Sequence, residues 1–257
     1  MILALNIENT DITLGCIDGS RILFTSRMAA DRKKSIEEYA IGIRSILEMH
    51  KVTPNLVEAS IISSVVPALI NTVRDGLRML LGHDPIIVGP GVKTGLNIRT
   101  ENPAALGCDL VVNAVGAIAA YKTPLIVVDL NSATTFLHVD EAKRLTGSVI
   151  APGVAISMSA LAQSCDQLPR ITIEAPDHIL GRNTIDSMKA GVILGTASMI
   201  DGVIDRIEAE SGNNCTLIAS GRYADEIIPH CSHEIILDSV LQFKGMSTIY
   251  DKNALRR

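Results

Sequence analysis

The chain has 257 residues, 47% hydrophobic and 20% charged, a globular composition that excludes a disordered tail protein. Twenty-three basic against 28 acidic residues give a net charge of −5, the wrong sign for general nucleic-acid binding, where phosphate neutralisation supplies most of the affinity. Aromatic residues make up 3% and Trp is absent, which leaves little for base stacking.

The first ten residues, MILALNIENT, have no basic region ahead of a long apolar core, so they read as a strand and not as a signal peptide. Apolar runs at 2–7 and 12–17 flank a Glu8-Asn9-Thr10 turn and predict a β-hairpin, with a third strand at 22–24. Residues 35–51 carry Ile36, Tyr39, Ile43, Ile46 and Leu47 at helical spacing. A strand at 59–63 is ended by Pro67, a helix follows over 68–82, then a short strand at 85–88. Asp109 opens a predicted helix over 110–121. An apolar strand at 125–129 turns at Asn131-Ser132-Ala133 and runs on as TTFLHVD.

Residues 145–165 are the longest uncharged run. A membrane-spanning helix there would bury Thr146, Ser148, Ser157, Ser159, Gln163, Ser164 and the Pro152-Gly153 pair in lipid, so the run reads as a buried loop and helix. Thr184 can cap a long helix over 185–209, with Met188, Val192, Met199 and Val203 on one stripe. A strand at 215–219 ends at Ser220-Gly221, residues 222–228 start a helix, and 235–237 form a final strand. The five cysteines are scattered without a CxxC, which suggests neither a disulfide framework nor a zinc site and points to a reduced, cytoplasmic setting.

The hairpins are related. Residues 3–15, LALNIENTDITLG, and 126–138, IVVDLNSATTFLH, follow one plan at an offset of 123 residues. Two equivalent halves, 1–118 and 119–257, are therefore expected. A hairpin tip of small polar residues exposes N–H groups and hydroxyls that can hold phosphate oxygens; equally, Asn, Ser and Thr form ordinary turns. Asp109 is either a helix cap or a proton acceptor for a substrate hydroxyl. Asp129 either binds a cation or caps a strand end. Asn183-Thr184 reads first as a cap, and the six histidines show no metal-ligand spacing.

Taken together, these pieces resemble the acetate-kinase, sugar-kinase, heat-shock-chaperone and actin superfamily, and more narrowly the type III pantothenate kinases. The resemblance runs in order through ISSVVP (62–67), TGLNIRTENPAALGCD (94–109), VVDLNSATTF (127–136), SVIAPGV (148–154), LPRI (168–171), ILGRNT (179–184), AGVILGTASMIDGVI (190–204) and GMSTIYDKN (245–253). It implies an α/β fold of two ribonuclease-H-like, actin-like ATPase halves with a cleft between them, and ATP-dependent phosphorylation of the pantothenate 4′-hydroxyl toward coenzyme A. It also implies Asp109 as general base; Asn6, Glu8, Asn9, Thr10, Ser132 and Thr134 at ATP; Thr100, Gly107, Cys108, Leu110 and Thr184 at pantothenate; and Asp129 at a potassium ion. Mg²⁺ on the phosphates and a cytoplasmic homodimer are implied as well, with no nucleic-acid or membrane partner.

The departures from the family pattern fall on the chemistry. The family's first turn is Asp-x-Gly-Asn-Thr, and here it is Asn6-Ile7-Glu8-Asn9-Thr10. The side chain at position 8 starts about 6–7 Å beyond that at position 6, so Glu8 is not expected to replace the missing carboxylate. Leu110 stands for an Arg that would grip the substrate carboxylate, Thr100 for Tyr, Asn131-Ser132 for Gly-Thr, and Ser220-Gly221-Arg222 for Thr-Gly-Gly. Two alternatives stay open: a non-catalytic regulatory or partner subunit, paired with an intact paralogue, and a kinase for a small hydroxylated compound lacking a carboxylate.

Overall fold

The computed structural model describes residues 1–254. Strands β1 (Ile2–Ile7), β2 (Asp11–Asp18) and β3 (Arg21–Ala29) open the chain, followed by α1 (Ile36–Met49), β4 (Ala59–Ser64), α2 (Pro67–Leu81) and β5 (Ile86–Ile87). Then come β6 (Asn97–Ile98), α3 (Cys108–Ala120), β7 (Leu125–Leu130), β8 (Ala133–Val139), β9 (Arg144–Pro152), α4 (Val154–Ser164) and α5 (Thr184–Ser211). The last elements are β10 (Thr216–Ser220), α6 (Ala224–Ile227), β11 (Ile236–Leu237) and α7 (Leu241–Ala254).

The strands form two sheets, ordered β3-β2-β1-β4-β5 and β11-β10-β7-β8-β9-β6. Apart from β6 these are the same sheet read twice. In each, three strands run antiparallel as a meander, and the first pairs in parallel with a fourth, which pairs in parallel with a fifth. The duplication read at the two hairpins therefore extends over both sheets.

By contacts the chain forms two compact units, one of residues 1–96, 101–120 and 240 onward, the other of 97–100 and 121–239. The expected halves were continuous stretches, 1–118 and 119–257; in the compact units the final helix instead joins the first. Residues 255–257 lie outside the described residues. In the first unit, Leu3, Leu5 and Ile7 pack under α1 and α2 with Tyr39, Ile43, Leu69 and Val73. The opposite face, with Ala4 and Ile61, packs with Val112 and Val115 of α3 and Phe243, Met246 and Ile249 of α7. In the second unit, Ile126, Val128 and Leu130 meet Val192, Ile193, Ala197, Ile200 and Ile204 of α5. That helix is long and apolar enough to cross a membrane by length and composition, and this stripe of it is core.

Several boundaries differ from expectation for physical reasons. The sequence predicts a loop and then a helix over 145–165; up to Pro152 the chain is instead β9, antiparallel to β8, and the helix follows as α4. The mostly solvent-facing Thr146, Gly147 and Ser148 hide the strand from an apolarity reading. The strand at 22–24 extends over Arg21–Ala29. Asn183, not Thr184, caps α5, its side chain accepting from the Asp186 N–H at 2.9 Å. Helix α7 had no counterpart in the predicted elements.

Local capping is legible in α1. Ser35 Oγ accepts from the Glu38 N–H while Glu38 Oε2 accepts from the Ser35 N–H at 2.7 Å, a reciprocal capping box. Ser35→Ala is expected to cost about 1 kcal/mol, read as a lower midpoint in urea; an unchanged midpoint would show the box to be idle.

Candidate functional site

In the first unit, polar residues gather at the C-terminal ends of the parallel strands β1 and β4, the end where open α/β sheets bind ligands. Asn6 is register partner of Thr13 on β2 and Ser63 on β4, so the three share one sheet face. Asn6 and Ser63 are 3% and 0% exposed, and neither Asn6 Oδ1 nor Ser63 Oγ has a hydrogen-bond partner. Asn6 Nδ2 donates to Glu8 Oε1 at 2.9 Å. The two side chains therefore meet across the two-residue spacing, the methylenes of Glu8 spanning the distance between the strand positions. The turn is held by the Glu8 N–H to the Asp11 carbonyl (2.8 Å) and the Val65 N–H to the Ile7 carbonyl (3.1 Å). Asn9 and Thr10 sit exposed at its tip, with Thr10 Oγ1 donating to Asp11 Oδ2.

Helix α3 begins against the same strand end. A Cβ on Gly107 would touch Val65, and it would overlap Asp109 Oδ1, because the Asp109 carboxylate folds back over the glycine. Asp109 sits in the first turn of α3, one residue after its start. Burial pushes its carboxyl above the usual range, opposed by the N–H groups of Leu110 and of Asp109 itself. Asn113 lies one turn on, on the same helix face, with its buried Oδ1 unpartnered. Cys108 turns its thiol to the Val88 carbonyl, and Leu110 is 5% exposed, a packing residue.

The second unit repeats the arrangement. Asp129 at the end of β7 pairs in register with Thr135 and Ser220, again sharing one face. Asn131 Nδ2 donates to both Asp129 oxygens at 3.1 Å, while Asn131 Oδ1 accepts from the Arg222 N–H at 2.8 Å. Gly153 and Gly221 press against this turn so closely that a Cβ on either would strike the backbone of residues 130–132, and Gly221 has φ +101°. Ser132 Oγ, Thr134 Oγ1 and Thr135 Oγ1 are buried without partners. Thr134 faces away from Asp129, on the side of Leu130. The Arg222 guanidinium lies over the Tyr223 ring.

Of the remaining expected residues, Thr100 belongs to the second unit with its Oγ1 buried and unpartnered. Thr184 is exposed on the first turn of α5, beside an open groove of about 520 Å³ lined by Asp166, Leu168 and Asn183. Thus Asn6, Glu8, Gly107, Cys108 and Asp109 come together in one unit, and Asp129 and Ser132 in the other. Sequence reasoning missed Ser63, Asn113 and Thr135; their signal is a hydroxyl or amide inside an otherwise apolar run.

The donor chemistry can be tested against the ions. A carboxylate beside an orphaned carbonyl oxygen, Glu8 with Asn6 Oδ1, is the hard oxygen set that Mg²⁺ takes when phosphates supply its other ligands. Asp129 with the neutral hydroxyl of Thr135, its register partner, suits a cation of lower charge. Among the described residues, no group of three or more His, Cys, Asp or Glu forms a metal cage.

Residues 2–206 match the family model described as type III pantothenate kinase. A protein named type III pantothenate kinase from Exiguobacterium sp. is 40% identical, over 98% of this chain and 99% of its own. One of the same name from Halalkalibacterium halodurans is 39% identical over 98% and 100%. Among solved structures, the activator of the 2-hydroxyisocaproyl-CoA dehydratase from Clostridium difficile superposes with TM-score 0.59 at 11% identity, covering 99% of this chain and 95% of that one. Component A of the (R)-2-hydroxyglutaryl-CoA dehydratase from Acidaminococcus fermentans gives 0.57 at 16%, with 98% of each chain covered. At these identities the likeness shows the fold.

Proposed function

Because this chain belongs to the type III pantothenate kinase family, we propose that it transfers the γ-phosphoryl group of ATP to the 4′-hydroxyl of pantothenate. The observation that carries this reading is the Asp109 carboxylate, folded over Gly107 at the strand end that also holds Asn6 and Glu8. The substrate hydroxyl gives its proton to Asp109, its oxygen bonds to the γ-phosphorus, and the bond to the bridging oxygen breaks to release ADP. Burial makes Asp109 a stronger base than an exposed carboxylate. The exposed Asn9-Thr10 tip of the first turn offers N–H groups and a hydroxyl that orient the phosphates.

Mg²⁺, held by Glu8 and Asn6, would offset phosphate charge, and K⁺ would sit at Asp129. The reading includes a cytoplasmic homodimer; Ile150 and Ile156 of the second unit, 69% and 52% exposed, are apolar surface that such an interface would cover.

A second reading, a hydroxylated substrate without a carboxylate, is favoured by Leu110. It is buried and apolar where a substrate carboxylate would need a cation. Coupled ATP turnover separates the two, with pantothenate and its alcohol analogue assayed side by side in Mg²⁺ and K⁺. Faster turnover of pantothenate is expected; faster turnover of the alcohol would establish the second reading, and none with either would leave the partner-subunit alternative.

A further inference from the structure

Each half of the internal repeat ends its first strand with the same device, a carboxylate and a carboxamide two residues apart joined by a hydrogen bond. In the second half the carboxylate comes first, with Asn131 Nδ2 donating back to Asp129. In the first half the order is reversed, and Asn6 Nδ2 donates forward to Glu8 Oε1. The repeat offset of 123 residues sets Asn6 opposite Asp129 and Glu8 opposite Asn131. Amide and acid have changed places, and the longer Glu side chain brings the charge back to the strand end.

We propose that Glu8, positioned by Asn6, is the carboxylate that binds the divalent cation accompanying the nucleotide phosphates, in a site where acid and amide are transposed relative to the second half. The proposal rests on the ATP-dependent reading above. Its first support is the Asn6 carboxamide, 3% exposed, with Nδ2 committed to Glu8 and Oδ1 left without a partner. Amide nitrogen and oxygen share one carbon, so the unpartnered oxygen sits next to the group that holds the carboxylate. The second support is charge. One carboxylate bonded to one neutral amide carries the same single negative charge in both halves. The third is backbone: Glu8 is not among the described non-glycine residues with positive φ, so its place in the turn needs no glycine. Without a cation, a carboxylate at this turn would repel phosphate. The two roles therefore predict opposite signs when the charge is removed.

The test is binding of the Mn²⁺ complex of ATP to the full chain, without pantothenate, followed by water-proton relaxation and by calorimetry. Glu8→Gln keeps the shape and removes the charge. It is expected to weaken Mn²⁺-ATP binding by about tenfold or more while leaving metal-free ATP, measured in EDTA, no weaker. Asn6→Asp with Glu8→Gly, which moves the acid back to the strand, is expected to restore binding. Equal or tighter Mn²⁺-ATP binding by Glu8→Gln would overturn the proposal; if turnover persisted, the kinase reading would stand. Binding seen only in the double variant would overturn it too and identify Glu8 as an obstacle. No binding by any variant would overturn both the proposal and the ATP-dependent reading.

Discussion

Asp109→Ala is expected to lower kcat by about 10²–10⁴-fold, the contribution of a positioned general base, with little change in the affinity for ATP. In the proposed reaction the carboxylate takes the substrate proton and is assigned no part in holding the nucleotide. A pH profile sharpens the test. The base works ionised, and burial holds its carboxyl above the ordinary 3.8. Activity should therefore fall on the acid side at a higher pH than an exposed aspartate would give. Stability runs the other way. A folded-state pKa above the unfolded one means that the folded protein binds more protons, so this group's contribution is fully present below the unfolded pKa and is lost as pH rises through the folded one. At neutral pH the ionised, desolvated carboxylate is then a standing cost. Asp109→Asn should lose activity and raise Tm at pH 7, with the gain fading as pH falls below the ordinary carboxylate range. A variant that lost activity and Tm together would mark Asp109 as a structural cap.

Gly245→Val is expected to cost about 3 kcal/mol by overpacking, about 6–12 °C in Tm for a chain of this size. A Cβ on Gly245 would overlap the Val112 carbonyl, and one on Gly116 would overlap the Leu241 carbonyl, so α3 and α7 meet backbone to backbone. A branched side chain forces the helices apart. It lifts Phe243, Met246 and Ile249, each at most 1% exposed, from the face they share with Ala4 and Ile61. It also strains the hydrogen bonds that join Asn253 and Lys252 to the backbone of residues 93 and 94. The control is Gly191→Ala on α5, where an added Cβ meets nothing within 4 Å. There the better helix propensity should leave Tm unchanged or raise it. Equal effects at the two sites would show that α7 is not closely seated.

What could be read from the sequence was what neighbouring residues decide. The hairpins each show within about a dozen residues, and the internal repeat shows once the two are set side by side. Strand β9 and helix α7 did not. The strand turns small polar residues to solvent and is recruited by β8, and the helix is held by two glycines far apart in the chain. At the site, Asp109, Asn6 and Asp129 were legible as charged or amide residues at element ends. Ser63 and Thr135 were not, because their meaning comes from the strands they pair with. The contact between Asn6 and Glu8 was not legible either, because it depends on side-chain length and not on the spacing of strand positions.

The return of α7 to the first unit also fixes an order of events at the ribosome. Strands β1 to β5 and helix α3 emerge early, yet α7 cannot be made until all of residues 121–239 have followed. At about 5–20 residues per second, the surface around Ala4, Ile61 and Val112 stays uncovered on that side for on the order of ten seconds. The second unit, apart from the short β6 strand, is one continuous stretch and meets no such delay. In a growing chain the later-made unit can therefore be the first to finish, while the earlier one waits as a client for whatever shields apolar surface in the cell.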